Sequence, residues 1–121
     1  KKTIFDCVIV SFGLRNFNDI PKSLEQIHRV LKKTGTFICL EFSEVNNPIL
    51  RKVLKAYFKA IPKLGLLFAN NKFAYDYLVE SILNFPNQIQ LTKKLSLAGF
   101  KTVKVIDIID GIAAIHISKK Q

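Results

Sequence analysis

The chain has 121 residues and a formal net charge of +10, one domain's worth of protein and near the lower end for an enzyme with its own cofactor site. Apolar residues make up 49% and charged residues 23%, a globular balance that excludes a disordered or fibrous polymer, and neither a membrane-spanning stretch nor a secretory signal is read. The cations are spread, with 11 Lys and Arg against 5 acids through Ala60 and 8 against 4 beyond it, so there is no basic tail, and without a recognition motif the charge alone does not make nucleic acid an expected partner.

Phe5 to Phe12 (FDCVIVSF) is a short β-branched run without clean alternation, which predicts a strand buried on both faces of a parallel sheet, ended by Gly13. Asp19 then offers an N-cap with Pro21 in the first turn, and Ile20, Leu24, Ile27, Val30 and Leu31 share a helical face until Lys32-Lys33-Thr34-Gly35 stops it. Thr36 to Phe42 (TFICLEF) repeats the buried-strand signature, completing the spacing of a right-handed βαβ crossover. Cys7 and Cys39 sit inside these two runs, where a buried free thiol acts as a small hydrophobe; neither has metal-ligand spacing, which favours a reducing, cytoplasmic setting.

From Pro48 the positions Ile49, Leu50, Val53, Leu54, Tyr57, Phe58 and Ile61 keep helical spacing, with Arg51, Lys52, Lys55 and Lys59 opposite, and Pro62 and Gly65 are expected to end or kink the helix. Phe73 to Leu83 predicts a second helix with Phe73, Tyr77, Leu78 and Ile82 toward the core and Asp76 and Glu80 outward; beyond Pro86 a third runs through Leu91, Leu95 and Ala98 to Gly99. Thr102 to Ile109 and Ile112 to Ser118 are β-branched segments joined by Asp110-Gly111, a hairpin signal. The expected class is α/β: β-α-β, then a helical insertion at about 48–85, then an antiparallel β-hairpin. His28 is expected to face away from its helix's apolar stripe, and neither it nor His116 has a second ligand at metal-binding spacing.

Three collinear stretches, FDCVIVSFGLRNF from Phe5, RVLKKTGTFICLEFS from Arg29 and LGLLFANNKFAYDYLVESILNFPNQ from Leu64, together with AGFKTVKVIDIIDGIAAIH from Ala98, resemble the UbiE family of quinone-ring C-methyltransferases. The resemblance implies the C-terminal half of a Rossmann-like class I methyltransferase that moves a methyl group from S-adenosylmethionine to a ring carbon of a polyprenyl benzoquinol or demethylmenaquinol. Two departures stand out. Lys33-Thr34-Gly35-Thr36 replaces the family's usual Pro-Gly-Gly turn, and no GxGxG pattern occurs, so residues 1–121 are read as a partial domain lacking the glycine-rich cofactor loop; the start at Lys1 rather than Met agrees with that reading. The free edge of the first strand is then expected to be covered by a homodimer contact or by a separate N-terminal half.

By the same resemblance Ser11, Phe12 and Gly13 lie beside the cofactor, Arg15 polarises a water or stabilises the developing phenolate, and Asn16, Glu41, Asn70 and Tyr75 face the substrate; Ser43 ends the second strand on the same edge as Glu41. No metal is expected. The basic amphipathic helix from Pro48 and the IPKLGLLFA segment suit peripheral contact with an inner-membrane surface. A non-catalytic dimerisation or interaction module that keeps this fold is the competing reading.

Overall fold

The computed structural model describes residues 3–121. Strand β1 (Phe5–Ser11) leads through a 3-10 turn (Leu14–Asn16) into helix α1 (Ile20–Val30), whose first turn is closed by Asp19 accepting the Lys22 N–H at 3.0 Å. Strand β2 (Leu31–Phe42) begins where α1 ends, because Leu31 is already extended and pairs with Phe5. Leu31 therefore enters the core as a strand residue rather than as the last apolar position of the helix. The following Lys32–Gly35 segment bulges between the Phe5 and Cys7 registers, with Thr34 left-handed at φ 64°. Gly35 is needed there for room: a Cβ would lie 2.8 Å from the Lys32 carbonyl oxygen.

Helices α2 (Pro48–Phe68) and α3 (Lys72–Leu83) form a hairpin, after which α4 (Gln88–Leu97) precedes strands β3 (Phe100–Ile108) and β4 (Ala113–Lys120). The sheet runs β1-β2-β4-β3, parallel between β1 and β2 and antiparallel on either side of β4. The Asp110-Gly111 turn is present inside a longer left-handed loop that starts at Ile109, φ 49°, and it is held down by the Asn47 N–H donating to Asp110 at 2.7 Å.

Alternation through the register separates the two faces of this sheet. Val8, Val10, Phe37 and Cys39 pack with α1 and α4 around Leu14, Leu24, Leu91, Leu95 and Phe100. The opposite face carries Ile9, Ile38, Leu40, Ile115 and Ile117, none of which is fully buried or joins that core. The expectation of burial on both sides therefore fails for β1, where Ile9 is 66% exposed, whereas Ile38 and Leu40 of β2 are half-buried. Cys7 is exposed as well, while Cys39 is buried, its thiol pushed up to about 12 by burial and secondarily by the Glu41 charge.

Two further differences concern the hairpin. α2 does not end at Pro62 or Gly65, because the ring of Tyr75 fills the space where a Gly65 Cβ would sit and holds the last turns of α2 against α3. Leu50, Leu54, Phe58 and Ile61 turn inward, but Ile49, Val53 and Tyr57, expected on the same buried face, are exposed, as are Phe73 and Tyr77 on α3. His28, in turn, packs edge-on against Phe100 and beneath Gly99 instead of facing away.

Candidate functional site

Because β1 and β2 are parallel, their C-terminal ends lie side by side, Ser11 opposite Leu40. Open α/β sheets bind ligands at such ends. Phe12 adopts φ 50° while its N–H donates to the Leu40 carbonyl at 2.8 Å, which turns the chain out of the sheet at Gly13. Leu14 then plugs the core, fully buried, and fixes Arg15 and Asn16 on the rim.

Arg15 is held from three sides. Its Nη1 donates to the Phe12 carbonyl at 2.8 Å and to Glu41 Oε1 at 2.9 Å, and the guanidinium carbon lies 5.2 Å from the centroid of the Phe42 ring. Phe42 itself packs on Phe12, ring centroids 4.9 Å apart. Glu41 is only 1% exposed, so its oxygens must find donors inside the protein. They do: Oε2 accepts the Arg15 backbone N–H at 3.3 Å and Oε1 also accepts the Phe42 N–H at 3.1 Å. Arg15 Nε, in contrast, is a buried donor with no partner.

The other sequence-derived candidates separate into two groups. Ser11 and Phe12 are exposed and Gly13 half-buried beside Arg15, and Asn16 accepts a hydrogen bond from the Tyr77 hydroxyl at 2.9 Å. Asn70 and Tyr75 instead shape the helical hairpin, Asn70 as a left-handed turn residue at φ 49° and Tyr75 as the ring against Gly65. Tyr77, which its spacing assigns to the core, is thus the hairpin side chain hydrogen-bonded to the Arg15 loop. Ser43 has a buried, unpartnered hydroxyl and lines a cleft of about 390 Å³ with Val45, Leu54, Phe58 and Phe85, apart from the Arg15 rim. Among the described residues no group of three His, Cys, Asp or Glu side chains converges as metal ligands do, and no helix is long and apolar enough to cross a membrane.

His116 is buried in β4, where its Nε2 meets the Gln88 carbonyl at 3.1 Å and its Nδ1 has no partner. Burial is the main cause that lowers its pKa from the ordinary value, and burial likewise lowers that of His28, assisted by the Lys120 charge.

The model of the ubiE/COQ5 methyltransferase family matches residues 1–120. The ubiquinone/menaquinone biosynthesis C-methyltransferase UbiE of Rickettsia bellii is 46% identical over 117 residues, which cover 96% of this chain and 47% of that protein. The mitochondrial 2-methoxy-6-polyprenyl-1,4-benzoquinol methylase of Bos taurus is 45% identical over 113 residues, 93% of this chain and 34% of its own length. The chain therefore spans less than half the length of either relative. Among solved structures, a SAM-dependent methyltransferase from Thermotoga maritima superposes with a TM-score of 0.69 at 19% identity, over 100% of this chain and 58% of that one, a likeness of fold alone.

Proposed function

Because the chain belongs to the ubiE/COQ5 methyltransferase family, we propose that it forms the substrate-side part of an enzyme that methylates a ring carbon of a polyprenyl benzoquinol or demethylmenaquinol. The observation that carries the reading is the Arg15 guanidinium, immobilised by Glu41, Phe12 and Phe42 at the strand ends with its Nε donor left unpaired. An orphaned buried donor in a rigid frame suits an oxygen that gains negative charge, because the donor is already oriented and partly desolvated. A phenol that loses its proton becomes such an oxygen, and the electron density it returns to the ring makes the ring carbon nucleophilic.

S-adenosylmethionine, when bound, supplies the methyl group. The rim fits one wall of that cofactor: Ser11 presents a hydroxyl, Phe12 an exposed ring, and Gly13 an approach bounded only by Val10 and Ser11 atoms at 3.5 and 3.8 Å from its Cβ position. The rim's carboxylate is not free for a ribose, since both Glu41 oxygens are engaged by Arg15 and Phe42. Glu41 thus acts as a positioning residue for Arg15, and Tyr77 positions Asn16. The remaining wall would come from residues outside these 121 or from a second chain, and the incompletely covered apolar face of the sheet, with exposed Ile9, and the edge position of β1 support this requirement. That same surface favours a second reading, an interaction module whose use is the pairing of this face.

The test is a chimera in which this chain replaces the matching 117 residues of the Rickettsia bellii relative. Methyl transfer from labelled S-adenosylmethionine to a short-chain demethylated quinol is expected. Arg15→Ala should lower kcat by about 100-fold or more with a smaller change in KM, as for an oxyanion-stabilising donor. A folded chimera that binds S-adenosylmethionine but transfers no methyl group overturns the reading, and saturable micromolar binding by the chain alone overturns the need for a second body.

A further inference from the structure

The cleft that Ser43 lines continues into the groove between α2 and α3. Its volume of about 390 Å³ is walled by Leu54, Phe58, Ile82 and Phe85. A second hollow of about 340 Å³, lined by Phe58, Val79 and Leu83 with Lys55 and Lys59, shares Lys55, Phe58 and Leu83 with the first. The two make one trough, apolar along the helices and polar at the Ser43 end, in the size range of a small-molecule site. Most polar groups at that end are already engaged. Arg51 donates from Nε and Nη2 to the Val45 carbonyl at 3.1 and 2.8 Å, and Nη2 lies 3.4 Å from Glu44 Oε1. Glu44 Oε2 accepts from Asn87 Nδ2 at 3.0 Å, and Gln90 Oε1 accepts the Asn87 N–H at 3.0 Å, which turns the Gln90 amide nitrogen the other way. Two groups at this end have no partner among the described residues: the buried Ser43 hydroxyl and the Lys55 ammonium, which makes no ion pair.

Both are donors, and Lys55 carries a full positive charge that Glu44, engaged by Arg51 and Asn87, does not neutralise. A buried hydroxyl without a partner and an unpaired cation at the head of an apolar trough complement a ligand whose head only accepts hydrogen bonds and is negatively charged. We infer that this cleft binds a single-chain anionic amphiphile of the fatty-carboxylate class, its carboxylate on Ser43 and Lys55 and its hydrocarbon chain along Phe58 and Leu83. Charge chooses the occupant: a neutral quinol head brings donors of its own and no charge for Lys55, and a cationic head repels it. The inference rests on this cleft, apart from the Arg15 rim, and not on the methyl-transfer reading.

Calorimetric titration of the chain with monomeric decanoate tests it, with 1-decanol and decyltrimethylammonium as probes of the same chain length. One saturable site is expected for decanoate, and binding weaker by about tenfold or more for the neutral and cationic probes. Lys55→Gln should weaken decanoate by about tenfold and Ser43→Ala by about threefold or more, while both leave decanol binding nearly as it was. Leu83→Asp, at an exposed position of the trough, should weaken all chain-bearing probes by about tenfold. Lys52→Gln, exposed on α2 and outside the cleft, should change nothing. Circular dichroism should be the same for all the exposed-site variants. Decanol that binds as tightly as decanoate, equal loss with Lys55→Gln and Lys52→Gln, or no saturable site overturns the proposal. A decyl-chain benzoquinol that displaces decanoate and binds more tightly would give the trough to the tail of the methyl acceptor, and so also overturn it.

Discussion

The sheet with α1 and α4 and the α2–α3 hairpin are built from similarly apolar sequence, yet they use it in opposite ways. In the first, Leu24, Leu91, Leu95, Phe37 and Phe100 are buried to the last per cent around one core. In the second, Gly65 and Val79 are the buried residues of the two helices, and the large side chains at the tip face outward. Stability follows the first arrangement, because burial of apolar area and close packing dominate it. The hairpin, which packs chiefly helix on helix, should be the unit that opens locally at low cost.

The change expected to hurt most is Gly111→Ala. Gly111 has φ 99°, and a Cβ there would run into the Glu44 backbone carbonyl. Backbone strain and overpacking together should cost on the order of 3–4 kcal/mol. The Glu44 carbonyl is not free to swing aside, since it accepts from Gln88 Nε2 and the following Asn46 and Asn47 both hydrogen-bond to Asp110 in the same loop as Gly111. Urea unfolding should show one transition moved to lower denaturant, body and hairpin together; a loss under about 1 kcal/mol would mean the loop is not the clasp described here.

That loop also shows what the sequence could and could not disclose. Asp110-Gly111 marks a turn, and Asp19 with Pro21 marks a helix start, because their chemistry is local. The left-handed Ile109 is illegible, since a β-branched residue is disfavoured there. Arg15 and Glu41 were both legible as residues at strand ends, but their 2.9 Å pairing spans 26 positions and belongs to the sheet register. Gly65 reads as a helix stop until Tyr75, ten residues on, is seen to occupy its missing side chain. Cys7 and Cys39 sit in equivalent apolar runs and differ only because helices cover one face of the sheet, which no local pattern encodes.

Gly65→Ala sharpens the contrast from the hairpin side. The added methyl meets the Tyr75 ring, which can shift by moving α3 away from α2, so the expected cost is about 1–3 kcal/mol. Native-state hydrogen exchange should show α2 and α3 amides losing protection while those of β2 and β4 keep theirs. Equal loss throughout would show the two regions to be one cooperative unit.

The smallest effect is read through pH and touches the body alone, since both histidines, His28 and His116, lie outside the hairpin. Protonating His116 would place a proton on Nδ1, where no acceptor waits, and burial already holds its pKa below the ordinary 6.5. His28 is lowered in the same direction, by burial first and then by Lys120. The unfolded chain therefore binds protons more readily than the folded one just below that value. The stabilisation is complete above about 6.5, and it is lost as pH falls through the lower folded-state values. The urea midpoint should decline between pH 7.5 and 5.5, and His116→Asn should flatten part of that decline while lowering the midpoint at pH 7.5 by removing the imidazole from its packed site. A decline that His116→Asn and His28→Asn together leave untouched would place the titration elsewhere. If lowering the pH from 7.5 to 5.5 cost the α2 and α3 amides more protection than the β4 amides, the acid-sensitive part would be the hairpin, and the division of labour between the two regions would have to be redrawn.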